Sequence, residues 1–339
     1  MLLTDILKNV SRSFYLTLAV LPRTVRAQIG LAYVFARAAD TIADTDLVER
    51  SRRLVLLKDF KAQFAAEAVL DWTMVRSIQS ALVPHQATAG ERSLMQRLEE
   101  CFQLFERLSS EDQRRIRTLM CTLINGMEMD LIVFRGDSVK DLTAFQTMDE
   151  LDRYTYYVAG CVGEFWTDMV AGHVPSLRMW NVTDMAKVGV RFGKGLQLTN
   201  ILKDVARDLQ RGRCYIPQAL LQAAQLTPSD LLNKNDRSRI QPVLHKLIGV
   251  ARDHLDQGWL YTLAIPRREW RLRLACMWPI LFAGQTLRRV ADAAELLDPS
   301  VNVKIPKGQV YRIMALTTLS GGCGYVGSAY WGRVRKRIA

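Results

Sequence analysis

GLQLTNILKDVARDLQRGRCYIP, from Gly195 to Pro217, is the part of this sequence that predicts most about its structure and chemistry. Its apolar residues recur with helical spacing, which places Asp204 and Asp208 on one face of a helix, about 6 Å apart along the axis. Carboxylates at that spacing suit hydrated Mg²⁺ ions whose remaining ligands are phosphate oxygens. We therefore predict a metal site that binds a phosphorylated ligand.

The same stretch contains other polar groups that such a site would use. Gln197 and Asn200 precede Asp204 by about two turns and one turn, on roughly the same face. Cations surround the carboxylates, namely Lys203, Arg207, Arg211 and Arg213. An isolated Asp-x-x-x-Asp pair is more typical of an ordinary solvated helix, so the prediction depends on a second motif.

That second motif is RAADTIAD, residues 37–44, which follows the apolar run LAYVFA. It contains Asp40 and Asp44 and places them in the interior, where carboxylates are costly unless cations and polyanions accompany them. Arg37 lies one turn before Asp40 and is suited to a bidentate phosphate contact. We expect the two aspartate pairs to face each other across a cavity.

Composition narrows the class of protein. The chain has 339 residues and is 49% hydrophobic, which is ample for a large core. A net charge of +12 indicates an acidic partner, for which nucleic acid, anionic lipid and diphosphate are the candidates. Six scattered cysteines and four histidines argue against a disulfide or zinc framework. The N-terminal residues do not have the pattern of a secretory signal, so we expect a cytoplasmic protein.

Helical periodicity recurs along the chain, and no alternating strand pattern of useful length appears. Ser110 and the T-x-x-E pattern at Thr147 predict helix starts, and amphipathic segments near 236–262 and 267–294 predict long helices. We find no linker and therefore predict an all-α single domain over residues 1–315, with a basic C-terminal tail over 316–339.

The C-terminal tail suggests a membrane partner. No residue from Ile313 to Trp331 carries a charge, and Arg333, Arg335, Lys336 and Arg337 follow. Such a segment either spans a membrane or, as the glycine and hydroxyl content favours, lies on an anionic membrane surface. The expected location is therefore peripheral on the membrane.

Six segments, in order, resemble those of the squalene and phytoene synthases, which join two prenyl diphosphates head to head. They are VSRSFYLTLAVLP (10–22), RAADTIAD (37–44), GMEMDL (126–131), DRYTYYVAGCVGE (152–164), QLTNILKDVARD with RGRCYIP (197–217) and VKIPKGQ (303–309). The resemblance extends over roughly residues 5 to 315. It implies the isoprenoid synthase fold with a central apolar cavity, and two molecules of farnesyl diphosphate as substrates.

The resemblance also implies roles for individual residues. Asp40, Asp44, Asp204 and Asp208 would be catalytic and hold Mg²⁺. Tyr154 matches a tyrosine that steadies cationic intermediates or helps deprotonation, as a ring face can. The residues implied for the diphosphates are Arg12, Ser13, Arg37, Gln197, Asn200, Lys203 and Arg213.

The last segment, VKIPKGQ, implies an NADPH-dependent step and so favours squalene synthase within the family. Lys304 and Lys307, with Asn200, would bind the cofactor. The chain departs from the squalene synthase pattern at Ala43 and Arg207, where an acidic residue is common, and at Pro306, where a basic one is common. The departures at Ala43 and Arg207 affect the expected number and geometry of the metal ions, and the one at Pro306 affects the expected binding of the cofactor.

Other functions remain open at this point. Enzymes of the same fold make dehydrosqualene, hydroxysqualene or phytoene. A non-catalytic helical assembly factor is a different class, disfavoured because all four aspartates and Arg37 are present. A nucleic-acid partner, suggested by the basic charge, is disfavoured because no RNA-binding motif is present. The favoured hypothesis is that the protein is a squalene synthase of sterol or hopanoid biosynthesis.

Overall fold

A computed structural model describes residues 2–10, 14–66, 69–233, 237–293 and 295–338. Over these residues the chain is almost entirely helical, which confirms the predicted all-α class. The α-helices are α1 (Leu2–Val10), α2 (Phe14–Val20), α3 (Arg23–Asp44), α4 (Arg50–Ala62), α5 (Trp72–Leu82), α6 (Ala89–Gln96), α7 (Leu98–Glu106), α8 (Ser110–Val133), α9 (Met148–Thr155), α10 (Cys161–His173), α11 (Val182–Gln210), α12 (Gln218–Gln222), α13 (Arg237–Ala264), α14 (Trp270–Asp292), α15 (Lys307–Leu319) and α16 (Gly324–Arg335).

Shorter elements join these helices. The 3₁₀ helices are Val83–His85, Val139–Asp141, Pro175–Leu177, Pro228–Leu232 and Arg267–Glu269. A π-helical turn, Tyr156–Gly160, connects α9 to α10. Two short strands, β1 (Thr143–Ala144) and β2 (Arg213–Cys214), pair in parallel with Thr143 opposite Arg213. The strand pair was not predicted.

The chain forms two compact units. The first contains Met1–Leu131 and Glu164–Val182, and the second contains Ile132–Gly163 and Thr183–Ala339. The first aspartate motif belongs to the first unit, and the second motif belongs to the second unit. Each unit has its own core, and the two motifs are therefore described in turn.

Five phenylalanines form an aromatic cluster in the core of the first unit. Phe35 of α3 lies 4.8 Å from Phe102 and 5.0 Å from Phe64, measured between ring centroids. Phe60 and Phe105 complete the cluster, and all five rings are fully buried. Edge-to-face and tilted ring pairs add to the burial of apolar area, which is worth about 1.5–3 kcal/mol per side chain. The cluster fixes α3 and thus the helix that carries the first motif.

A buried network of ion pairs and hydrogen bonds also links α3, α8 and α10 of the first unit. Asp112 is 2% exposed, and its Oδ1 lies 3.0 Å from Nη1 of Arg115 and 2.8 Å from Nε2 of His173. Gln28 of α3 donates to the other oxygen at 3.3 Å. Burial alone would raise the pKa of Asp112, but the hydrogen bonds from His173, Arg115 and Gln28 outweigh it and lower that pKa.

Asp112→Ala is therefore expected to lower the free energy of unfolding by about 3 kcal/mol, because it leaves buried cationic and amide groups without their acceptor. The control is Asp184→Ala, which removes an exposed partner of Lys187 and should cost at most about 1 kcal/mol. Urea denaturation measures both. Equal losses in the two variants would show that the buried group does not hold the helices together.

In the second unit, α14 packs against α13, α15 and α16. Trp259 and Trp331 stack with centroids 6.3 Å apart, and Trp331 Nε1 donates to Asp256 at 3.0 Å. Trp278 of α14 donates to Thr317 of α15 at 2.9 Å. The predicted boundary at 315 thus falls inside α15, and the residues after it pack on α13 and α14. No helix in the described ranges is both long and apolar enough to cross a membrane.

The strand pair determines how the chain leaves α11. Gly212 adopts a φ of +75°, a left-handed conformation that glycine accepts without strain, and its carbonyl accepts from Thr143 at 3.0 Å. The chain then enters β2 beside β1. This pairing brings the segment that follows α11 next to the segment that precedes α9, and so places Tyr215 near Tyr154.

Candidate active site

Arg37 and Asp40 lie side by side on α3, as predicted from the first motif. Nη1 of Arg37 is 3.6 Å from Oδ2 of Asp40, and the Thr41 hydroxyl donates to the Arg37 carbonyl. Asp44, one turn beyond Asp40, is exposed, and the side chain of Asp40 is 48% exposed, so the prediction that both carboxyls lie in the interior is wrong. The motif therefore presents a guanidinium and two carboxyls along successive turns of one helix.

The surroundings of Asp40 disfavour the ionised form of its carboxyl group. Partial burial and the like charge of Asp44 raise the pKa of Asp40 to about 7, although Arg37 acts in the opposite direction. A divalent cation between the two carboxyls would remove the repulsion that raises this pKa. The pair thus has the charge and the oxygen ligands that a hard cation such as Mg²⁺ requires.

Glu91 of α6 is a site residue that the sequence did not reveal. Its Oε1 accepts from Nη2 of Arg37 at 2.5 Å, and its Oε2 accepts from the Thr88 hydroxyl at 2.8 Å. Thr88 in turn caps α6 by accepting from the Glu91 amide. Glu91 therefore fixes Arg37 from a second helix. The T-x-x-E pattern at 88–91, which is a capping signature, was the available signal.

The second motif forms one wall of a cavity of about 420 Å³ in the second unit. This cavity brings together Gln197, Asn200, Asp204 and Asp208, all predicted from their spacing on α11. Ile201, Arg207, Gln210, Arg211, Tyr215 and Pro299 complete its lining. A polar wall of carboxylates and amides, with cations at its edge, is a suitable environment for a metal-bound phosphate group.

The cations next to Asp204 balance its charge. Nζ of Lys203 lies 3.1 Å from Oδ2 of Asp204, and Arg207 forms an ion pair with Oδ1. Burial lowers the pKa of Lys203, and the neighbouring charge of Arg207 lowers it further. Arg207, which replaces a commonly acidic residue, therefore neutralises a carboxylate where the usual residue would add charge.

Tyr154 does not line this cavity but stacks behind Tyr215, which does. It is 7% exposed and stacks on Tyr215, with centroids 5.2 Å apart and an angle of 26° between the rings. Phe134 and Phe145 surround the pair. Tyr215 lines the cavity itself and was missed, although it belongs to the quoted RGRCYIP segment, because only the arginine of that segment was assigned a role.

Glycines bring α11 into backbone contact with the Tyr154 segment. A Cβ atom on Gly163 would lie 2.0 Å from the Gly189 carbonyl oxygen, and one on Gly193 would lie 2.1 Å from that of Ala159. Asp152 and Lys194 form an ion pair at 2.7 Å along the same contact. The π-helical turn lies at this crossing, and such turns occur often at functional sites.

The remaining predicted residues are placed as follows. Arg213 lies in β2, 3.8 Å from Asp137, and does not line the cavity. Lys304 and Lys307 are exposed at and before the start of α15, and neither lines the cavity with Asn200. Arg12 and Ser13 lie outside the described residues.

Metal binding would need ligands beyond the protein. In the part of the chain that the structure describes, no group of three or more His, Cys, Asp or Glu side chains converges on one point. Each aspartate pair supplies two carboxylates, which suits Mg²⁺ because this ion keeps several waters and takes substrate phosphates as ligands. The donor set therefore fits Mg²⁺ and would not form a closed zinc site.

Comparisons with known proteins show the family of this chain. A squalene/phytoene synthase family model matches residues 7–309. The squalene synthase of Eremothecium gossypii is 26% identical over 337 residues, covering 98% of this chain and 71% of that protein. The squalene synthase of Saccharomyces cerevisiae is also 26% identical and covers 99% and 71%. A chloroplastic phytoene synthase of Daucus carota is 31% identical over 176 residues, covering 52% of this chain and 40% of that protein.

Solved structures give the same fold. A ligand complex of TcSQS has a TM-score of 0.78 at 21% identity and covers 100% of this chain and 91% of that one. A dehydrosqualene synthase complex has a TM-score of 0.64 at 19% identity and covers 94% of each. The chain belongs to the squalene/phytoene synthase family, has its helical isoprenoid synthase fold and is an enzyme of the prenyltransferase type.

Gly193→Ala should lower the free energy of unfolding by about 1–3 kcal/mol, because the added methyl group meets backbone that cannot move aside cheaply. The matched control is Gly249→Ala on α13, where nothing lies within 4 Å of the added Cβ. That control should be neutral or stabilise the protein by up to about 1 kcal/mol, since alanine favours a helix. Urea denaturation of both variants tests the contact, and similar values would refute it.

Proposed function

We propose that this protein is a squalene synthase, which condenses two molecules of farnesyl diphosphate head to head and reduces the product to squalene. The observation that carries the proposal is the cavity on α11. It combines two carboxylates and three amides with an aromatic ring, Tyr215, that stacks on Tyr154. Squalene synthases among the relatives support the choice within the family.

The first step is loss of diphosphate from one farnesyl group. Asp40 with Asp44, and Asp204 with Asp208, would hold Mg²⁺, which would supply positive charge to the leaving diphosphate. Arg37 lies beside Asp40 and Lys203 beside Asp204, and their N–H groups donate to phosphate oxygens as negative charge develops. Glu91 keeps Arg37 in position for that contact.

The allylic cation left behind is attacked by a double bond of the second molecule. Loss of a proton then closes a cyclopropane and yields presqualene diphosphate. The Tyr215 ring lies beside the carboxylates and stabilises positive charge through its face, while Tyr154 behind it holds that ring in place. Water must be excluded at this stage, because it would convert the cations into alcohols.

The second half releases the remaining diphosphate and rearranges the carbon skeleton. NADPH, when bound, supplies the hydride that ends the reaction as squalene. Lys304 and Lys307 are exposed, so their charges are accessible to the phosphates of the cofactor, and Asn200 lines the cavity with Asp204 and Asp208. The VKIPKGQ segment and the Asp-Thr start of the first motif favour this route over dehydrosqualene or phytoene synthesis.

We also propose that the enzyme works in the cytoplasm at the surface of a membrane. Its hydrocarbon product is insoluble in water, and the net charge of +12 favours an anionic membrane. A peripheral enzyme would release squalene directly into the lipid phase.

Asp40→Asn and Asp204→Asn are each expected to lower turnover of farnesyl diphosphate by at least about 100-fold, since the loss of a metal ligand removes several kcal/mol of charge stabilisation. Radiolabelled substrate with Mg²⁺ measures the rate, and circular dichroism checks the fold. Asp184→Asn, on an exposed turn of α11, is the matched control and should keep full activity. Turnover within about twofold of wild type in either test variant would refute the metal assignment.

Product analysis with and without NADPH tests the reductive step. With NADPH the product should be squalene, and without it presqualene diphosphate or unreduced hydrocarbons and alcohols. Lys304→Ala combined with Lys307→Ala should impair squalene formation more than the first condensation, because only the second step uses the cofactor. Lys187→Ala with Lys246→Ala, which removes two other exposed lysines, is the control. Identical products in both conditions would leave dehydrosqualene, hydroxysqualene or phytoene synthesis.

A further inference from the structure

Two connections between helices lie side by side in the second unit. One joins α13 to α14 and the other joins α15 to α16. Arg273, which is 6% exposed, donates to the Leu263 and Ile265 carbonyls of the first connection at 2.8 and 2.6 Å. It also donates to the Gly322 carbonyl of the second at 3.4 Å. One buried guanidinium thus holds both turns, which we call the double turn (residues 263–271 and 319–326).

The double turn presents apolar side chains to solvent. Gly321 and Gly322 have φ values of +60° and +67°, which allow α15 to reverse sharply into α16. On either side of that reversal, Leu319 is 87% exposed and Tyr325 is 81% exposed. Single exposed apolar residues are common on proteins, but here two of them flank one tight reversal.

An apolar groove continues from the double turn between α15 and α16. It has a volume of about 250 Å³, and its lining includes Leu281, Ile313, Leu316 and Val326. Leu316 and Val326 are 44% and 39% exposed, so the groove opens to solvent beside Leu319 and Tyr325. Among the described residues that line the groove, Arg333 is the only charged one.

Cations outnumber acids in this part of the chain, in which Arg335 is paired with Asp256 of α13. Asp298 is the last acidic residue of the sequence, and every charged residue after it is a cation. The cations are Lys304, Lys307, Arg312, Arg333, Arg335, Lys336 and Arg337. The α13–α14 connection adds Arg267, Arg268 and Arg271 against a single acid, Glu269. Each cation near an anionic bilayer contributes about 1 kcal/mol of attraction.

We infer that the double turn and the adjoining groove form a docking surface for an anionic lipid bilayer. Leu319 and Tyr325 enter the boundary between headgroups and acyl chains, and Arg312 and Arg333 contact lipid phosphates. An anionic bilayer offers a partner for both features, because its acyl boundary accepts apolar side chains and its phosphates accept cations. The inference rests on the proposed peripheral location and names the surface responsible for it.

Sedimentation of the full-length protein with phosphatidylcholine vesicles, with or without phosphatidylserine, tests the docking surface. Wild type should bind only the vesicles that contain phosphatidylserine, and added salt should weaken binding. Leu319→Ser with Tyr325→Ser should weaken it by about tenfold, since two apolar side chains no longer enter the bilayer. Leu47→Ser with Met179→Ser, which changes two apolar residues that are 75% and 95% exposed elsewhere, should bind as wild type does.

A second pair of variants tests the charge. Arg312→Gln with Arg333→Gln should weaken binding and flatten its salt dependence more than Arg23→Gln with Arg52→Gln, which removes two other exposed arginines. All variants should keep the wild-type circular dichroism spectrum and the wild-type rate with dispersed substrate.

The possible failures are distinguishable. If wild type binds no vesicles, or binds both kinds equally, then the peripheral location on an anionic membrane is wrong and the docking surface is wrong with it. If wild type binds as expected but the Leu319 and Tyr325 variant retains its affinity, only the docking surface is wrong. Neither result bears on squalene synthesis, which is measured separately.

Discussion

Two carboxylates one helical turn apart repel each other, and the chemistry of this enzyme depends on how that repulsion is offset. In the second motif the protein itself provides the charge, because Lys203 and Arg207 both pair with Asp204. In the first motif Arg37 pairs with both Asp40 and Glu91. Burial and the charge of Asp44 raise the pKa of Asp40 to about 7. The first pair is therefore the one that depends more on an added cation to stay ionised.

Local signals in the sequence were sufficient for the helices and for the α11 wall of the site. Helix α8 begins at Ser110 as predicted, although Ser109 is the residue whose side chain caps it, and Thr147 caps α9. The 3.6-residue period places Gln197, Asn200, Asp204 and Asp208 on one cavity. These features depend on residues a few positions apart. Periodicity and capping rules describe that range well.

Features that depend on distant contacts could not be predicted in the same way. Glu91 meets Arg37 across 54 positions, and Tyr215 reaches Tyr154 only through a strand pair of two residues per strand, too short to give an alternating pattern. Residues 316–339 were interpreted as a basic tail because an uncharged run followed by a cluster of cations is typical of a membrane-surface segment. In the structure these residues pack on α13 and α14, since Gly284 and Gly327 leave room for Trp331 and Trp259.

The π-helical turn at Tyr156–Gly160 affects how this segment is compared between proteins. A π turn contains about one residue more than an α turn, so residues on its two sides are rotated by about 100° from the positions that a continuous α-helix would give them. Tyr154 therefore faces Tyr215 while Gly163 faces Gly189, an arrangement that helical periodicity across the turn would not predict. Deletion of a single residue here would preserve a helix and yet turn the tyrosine away from the site.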